Sequence, residues 1–221
     1  MSTSFHARVS QVVDELESAD DIVVDSRRIG VGDAWELTAE EADRIRAVMG
    51  EAALQGVEGY LLGVEHVHVA WHMDDYSLEG EFFLKDVRAC LSGNYLPYVD
   101  PSLPPDRREL MDGLKMFEEA PGSGRLVALR IPLDGQSREM WFYDANHRRL
   151  ELLDLDHQSY MERLLAMKGV PGWQYLFTDV DLTHREFHTE VGHVRRALAW
   201  FPELFPGYDY SDLRARLEAR T

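Results

Sequence analysis

The run HVHVAWHM, His66 to Met73, and the run LEGEFFL, Leu78 to Leu84, both alternate apolar and polar residues with a period of two. That alternation fits a strand with one buried face and does not fit a helix. The residues between them, Asp74-Asp75-Tyr76-Ser77, make a common hairpin loop length. Folded together, the runs pair Met73 with Leu78, Trp71 with Gly80, Val69 with Phe82 and Val67 with Leu84. A slip of one residue would break all four apolar pairs, so the pattern itself sets the register. The chain must therefore build a sheet with one face against a core.

The same register places three histidines on the other face. His66, His68 and His72 have a spacing that a metal ion can use. Pairing sets His72 opposite Glu79, His68 opposite Phe83 and His66 opposite Lys85. A metal centre needs a carboxylate converging with His66 and His68, and the nearest partner of His66 is a cation. The favoured reading is a solvated sheet face with a His72–Glu79 cross-strand pair. A second group, His184 and His188 in HREFH, would share a helical face, but Arg185 stands where a zincin carries glutamate. No metal is expected at either group.

The rest of the chain reads as a mixture of helices and strands. Phe5 to Leu16 has an apolar stripe of Val9, Val12, Val13 and Leu16, and IVV at Ile22 reads as linker or short strand. Thr38 and Glu41 form a capping box before the helical pattern LTAEEADRIRAVMGEAAL. YLLGV reads as a strand, Tyr95 to Pro105 as a proline-rich crossover, and Arg107 to Phe117 as a short helix carrying Leu110, Leu114 and Phe117. RLVALRIPL, REMWFYD and RLELLDL read as strands, the last two joined by a turn at Ala145-Asn146-His147. Asp156 is placed to cap a helix that Gly169 ends. Two helices close the chain, from Glu190 to Phe201 and from Ser211 to Arg220 with Ser211 as cap; GWQYLFTDV takes no single assignment. The expected architecture is a single α+β domain with a curved, mainly antiparallel central sheet flanked by helices. Its parts are an N-terminal helical segment over 1–58, a sheet core over 59–178 and a C-terminal helical pair over 179–221.

Charge narrows the choice of partner. With 40 acidic and 23 basic residues among 221, the net charge is −17. Nucleic acid is repelled by such a surface, whereas a basic protein is drawn to it. No apolar run reaches membrane-spanning length, and MSTSFHARVSQVVDELESADD is not a secretory leader. A single cysteine, Cys90, provides no disulfide framework. The cytoplasm of a bacterium is the expected setting, since arginine far outnumbers lysine as in a GC-rich genome. The chain carries no GxSxG elbow, Walker loop or dinucleotide fingerprint, and PGSGR is a turn. DLDH, Asp154 to His157, reads as strand end plus helix cap, and Trp141, Phe142, Tyr143, Trp173, Tyr175 and Phe177 as core and its margin. No catalytic residue and no cofactor are expected.

RLVALRIPLDGQSREMWFYD, RLELLDLDHQSYMERLLAMKG and GWQYLF, with the upstream VHVAWH…LEGEFFL hairpin, resemble the SUKH superfamily over about Gly59 to Phe177. The family pattern matches an aspartate after aromatics, here Trp141, Phe142, Tyr143 and Asp144, and an aromatic in the last helix, here Tyr160. The chain departs from that pattern in its proline-rich insertion, its long N-terminal segment and its acidic helical tail. The resemblance implies a non-enzymatic protein-binding module, of the kind that includes immunity proteins neutralising polymorphic, often nuclease, toxins by occlusion. On that reading the partner is a basic toxin domain; the hairpin register makes the tip residues Asp74 and Asp75 and the outward Glu79 and Glu81 the first candidates for the surface that meets it. Two other readings stand beside it: a regulatory or scaffold protein of the same fold, and a metal-dependent hydrolase using His66, His68 and a carboxylate, or His184 and His188.

Overall fold

The computed structural model describes residues 5–30, 65–86, 104–130 and 139–221, together with 38–40, 42, 43, 46 and 90. Its centre is an open seven-stranded antiparallel sheet in which strands follow each other in chain order. The strands are β1 (Ile22–Ile29), β2 (His66–Met73), β3 (Glu79–Lys85), β4 (Leu114–Ala120), β5 (Arg125–Arg130), β6 (Glu139–Asp144) and β7 (Arg149–Leu153). Around it lie α1 (Phe5–Glu17), α2 (Pro105–Asp112), α3 (His157–Met167), α4 (His188–Leu204) and α5 (Ser211–Arg220). This is the α+β class expected. Among the described residues no helix is long and apolar enough to cross a membrane.

The β2–β3 hairpin has the register read from the alternation, with Trp71 opposite Gly80, Val69 opposite Phe82 and Val67 opposite Leu84. These side chains face a core shared with Val9, Val12, Val13 and Leu16 of α1, the aromatic stretch after α3, and α4. That aromatic stretch, unassigned from sequence, is a short 3-10 helix, Trp173–Phe177, buried along its whole length. A smaller apolar cluster, Leu114, Met116, Leu126 and Ala128, packs on the opposite face with half-buried Trp141 and Tyr143.

Four expectations change. The sheet begins at Ile22–Ile29, inside the segment expected to be helical, because IVV extends into the polar edge strand DSRRI. The expected helix from Arg107 to Phe117 is helical only over Pro105–Asp112. Gly113 follows it, and Leu114–Ala120 becomes β4, where pairing with β5 outweighs the helical preference of LKMFEEA. Ser211 does not cap α5 through its side chain; its own N–H is taken by Asp209 Oδ1 at 2.9 Å. His184 and His188 do not share a helical face, since a 3-10 turn, Arg185–Phe187, separates His184 from the start of α4. By contrast, Asp156 caps α3 as expected, accepting from Ser159 N–H at 2.7 Å. The strand YLLGV, the proline-rich crossover before Pro104 and most of the helix after Thr38 lie outside the described residues.

Candidate functional site

β3 and β4 pair at only two positions, Phe83 with Glu119 and Leu84 with Glu118. Beyond Phe83 the strands part, and the loop after α3 enters the gap. Lys168 and Gly169 both take left-handed backbone there, φ 50° and 76°. The Lys168 carbonyl accepts from Trp71 Nε1–H at 2.7 Å, and the Gly169 carbonyl accepts from Glu81 N–H at 3.1 Å. The buried Lys168 ammonium reaches back to Glu15 of α1 at 2.7 Å, above the rings of Phe205 and Tyr208. Burial lowers its pKa to about 8, against the pull of Glu15. The loop is thus fixed at both ends, and a cleft of about 340 Å³ opens beside it.

Acid lines this cleft: Asp25 from β1, Glu79 and Glu81 from β3, and Glu118 from β4. Glu118 points inward because of a bulge. Met116 lies opposite Ala128 and Glu118 opposite Val127, so the extra residue, Phe117, turns Glu118 from the outer face to the core face. The carboxyl is almost wholly buried and accepts from Tyr160 O–H at 3.0 Å. Burial pushes its pKa up to about 8, with the charges of Glu119 and Glu81 adding to the rise and the Tyr160 bond opposing it. Gln174, which lines the cleft, donates to Tyr160 through Nε2 at 3.4 Å, while its buried Oε1 has no partner among the described residues.

The histidines are more enclosed than a solvated face implies. His72 bonds through Nδ1 to Asp25 at 2.8 Å and stacks on Tyr76, with centroids 4.1 Å apart. Glu81 pairs with His68 Nε2 at 2.8 Å, and Ser26 meets the other ring nitrogen at 3.1 Å. The expected His72–Glu79 ion pair is therefore replaced by a pair with Asp25 from the neighbouring strand and by a diagonal His68–Glu81 pair. These rings serve separate carboxylates and do not converge. Of the four expected contact residues, Glu79 and Glu81 line the cleft, whereas Asp74 and Asp75 sit at the hairpin tip beside Trp200 and Glu203. They form two places, not one patch.

The three-residue grouping with metal-ligand spacing among the described residues is Asp144, His147 and Glu190, which the sequence did not single out. All but one of its ligand atoms are already engaged, Glu190 Oε2 being buried without a hydrogen-bond partner among the described residues. Arg125 donates to Asp144 Oδ2 at 3.1 Å and to Glu190 Oε1 at 2.8 Å, and Tyr175 O–H donates to Asp144 at 2.9 Å. His147 faces Asp144 through Nδ1 at 3.0 Å and the Glu186 carbonyl through Nε2 at 3.1 Å. These two acceptors, with the Tyr175 hydroxyl 3.3 Å from Nδ1, occupy both ring nitrogens and leave neither turned to a metal. Burial works against the imidazolium, but these two bonds and the charges of Asp144 and Glu190 raise its pKa. Burial likewise opposes the Asp144 carboxylate, yet His147, Arg125 and Tyr175 hold its pKa below the usual range. The arrangement is an ion-pair lock joining β5, the β6–β7 turn and α4. Cys90 is buried, and burial together with the nearby charge of Asp86 pushes its thiol up to about 12, which leaves it inert as a nucleophile.

The lock has a signed pH signature. The contribution of His147 is full below its ordinary value of 6.5 and is lost as pH rises through the raised folded value. That of Asp144 is present above 3.8 and is lost as pH falls through its lowered folded value. Asp144→Asn should cost about 2 kcal/mol in urea melts at pH 6. The difference from wild type should shrink toward pH 3; a constant difference would mean that Asp144 acts by shape alone. Comparison of the chain with family models, with curated proteins and with solved structures returns no match.

Proposed function

We propose that this chain is a non-enzymatic protein-binding module that captures a basic partner, of the kind by which an immunity protein neutralises a toxin domain in the bacterial cytoplasm. One observation carries the reading: on a chain of net charge −17, four carboxyl side chains from three strands line a single cleft. Such a surface attracts cationic protein and speeds its association at low salt. The resemblance to SUKH proteins supports the toxin partner, and the separate carboxylate partners of His68 and His72, with the turn that parts His184 from His188, argue against the hydrolase alternative.

The test is affinity capture from the native host, followed by binding of the purified pair over a range of salt. A stoichiometric basic partner, held more weakly as salt rises and silenced in its own toxic activity, is the expected result. Reversing Glu79 and Glu81 together to lysine should weaken that complex at least about tenfold, which is about 1.4 kcal/mol. The matched reversal of Asp74 and Asp75 tells whether the hairpin tip contributes. A partner bound without salt dependence, or no partner at all, would defeat the proposal and return weight to a scaffold role.

A further inference from the structure

The geometry points to the β3–β4 cleft as a receptor for a single arginine side chain presented by a partner protein. The inference rests on the protein-binding reading above and names the group that the site takes.

Four features of the cleft converge on a guanidinium. Its acid comes from separate strands, with Asp25, Glu79, Glu81 and Glu118 around one small volume of about 340 Å³. Gln174, only 7% exposed, lines the cleft, and its buried Oε1 is an acceptor whose desolvation nothing among the described residues offsets. An arginine brings five N–H donors in a planar fork, enough to serve this oxygen and a carboxylate together. At the edge of the cleft, the parallel rings of His72 and Tyr76 present a flat face, and the Tyr76 ring is 73% exposed. Guanidinium stacks on such faces better than a compact ammonium does. Ala70, Val170 and Pro171 supply apolar wall for the methylene stem. The cation already present, Arg125, is directed away by its bonds to Asp144 and Glu190, so its charge is matched.

Occupancy is coupled to a proton. Glu118 is faced by Tyr160 from α3, Gln174 from the 3-10 helix and Glu81 from β3, with Glu119 beside it on β4. Glu79 of β3, Arg125 of β5 and the Asp25–His72 pair complete the charged groups around the cleft among the described residues. With the cleft empty, burial keeps the Glu118 carboxyl protonated up to about 8. A guanidinium favours the carboxylate, so binding near neutrality releases the proton to solvent, and affinity rises with pH until about 8.

The test uses the full chain and N-acetyl-arginine amide, followed by amide-resolved NMR and by calorimetry in buffers of different ionisation enthalpy. The neutral citrulline amide, of the same shape, is the control. Saturable binding is expected, with shifts at Glu81 and Gln174, proton release at pH 7, and citrulline weaker by at least about tenfold. Glu118→Gln, nearly isosteric, should weaken arginine amide about tenfold and abolish proton release, with its fold confirmed by thermal melting. Gln174→Met, which removes the orphan oxygen, should weaken binding independently. No saturation by about 20 mM, equal binding of citrulline, or indifference to both variants would overturn the assignment. A captured protein whose affinity ignores both variants would remove the cleft and leave protein binding standing. Binding of arginine amide without any protein partner would do the reverse.

Discussion

Gly169→Ala is expected to destabilise the protein by about 3 kcal/mol and to part the α3 loop from β3. Gly169 sits at φ 76°, where an L side chain costs about 1 kcal/mol or more. Its added Cβ would also lie 2.5 Å from the Glu81 carbonyl oxygen and 2.9 Å from the Glu81 nitrogen. Backbone cannot step aside there, because Glu81 N–H donates to the Gly169 carbonyl in the same contact. Gly122 provides the control: φ is 81°, yet nothing lies within 4 Å of a Cβ built on it. Gly122→Ala should therefore cost only the conformational part, about 1 kcal/mol, and the difference between the variants isolates the wedge. Gly80→Ala approaches the same joint from the strand side, meeting the Lys168 carbonyl and Trp71 Nε1 at 2.5 Å, and should disrupt their hydrogen bond. Urea melts read all three. If Gly169→Ala and Gly122→Ala fall together, the loop is not held in the gap, and the cleft beside it loses its wall.

The hairpin was legible because burial imposes a period of two on its sequence, and one apolar mismatch would have been visible. β4 was not legible. LKMFEEA consists largely of good helix formers, and what makes it a strand is β5 on one side and two residues of β3 on the other. The inward turn of Glu118 depends on one inserted residue, Phe117, which leaves no mark on local composition. Glu79 and Glu81 could be placed from register alone. Asp25, Glu118 and Gln174 join them in the cleft across about forty to more than ninety residues of sequence, beyond the reach of any periodicity. The same distance hid the ion-pair lock: Arg125, Asp144, His147 and Glu190 read separately as strand, turn and helix residues. The hairpin register alone pairs His72 with Glu79, because its partner in the fold, Asp25, lies in an edge strand whose polar half reads as linker.

Glu118→Gln is expected to stabilise the protein at alkaline pH by about 3–5 kcal/mol while leaving it nearly unchanged at pH 5. An unfolded glutamate titrates near 4.5, and the folded one is held protonated to about 8, first by burial and then by the charges of Glu119 and Glu81. Between those values the native state binds the extra proton, so wild-type stability falls as pH rises from 4.5 and the loss is complete above about 8. Glutamine cannot ionise and still offers an oxygen to Tyr160 O–H, so the variant lacks that slope. Lys168 and His147 titrate in both proteins, and their contributions cancel in the difference between the two curves. Paired urea melts at half-unit steps from pH 5 to 9 measure it directly. Parallel curves would show that Glu118 ionises without penalty in the fold, and would take away the proton release predicted on filling the cleft. Diverging curves, joined to weaker arginine binding by the variant, would identify a carboxyl that costs the empty protein stability and is compensated when a cation arrives.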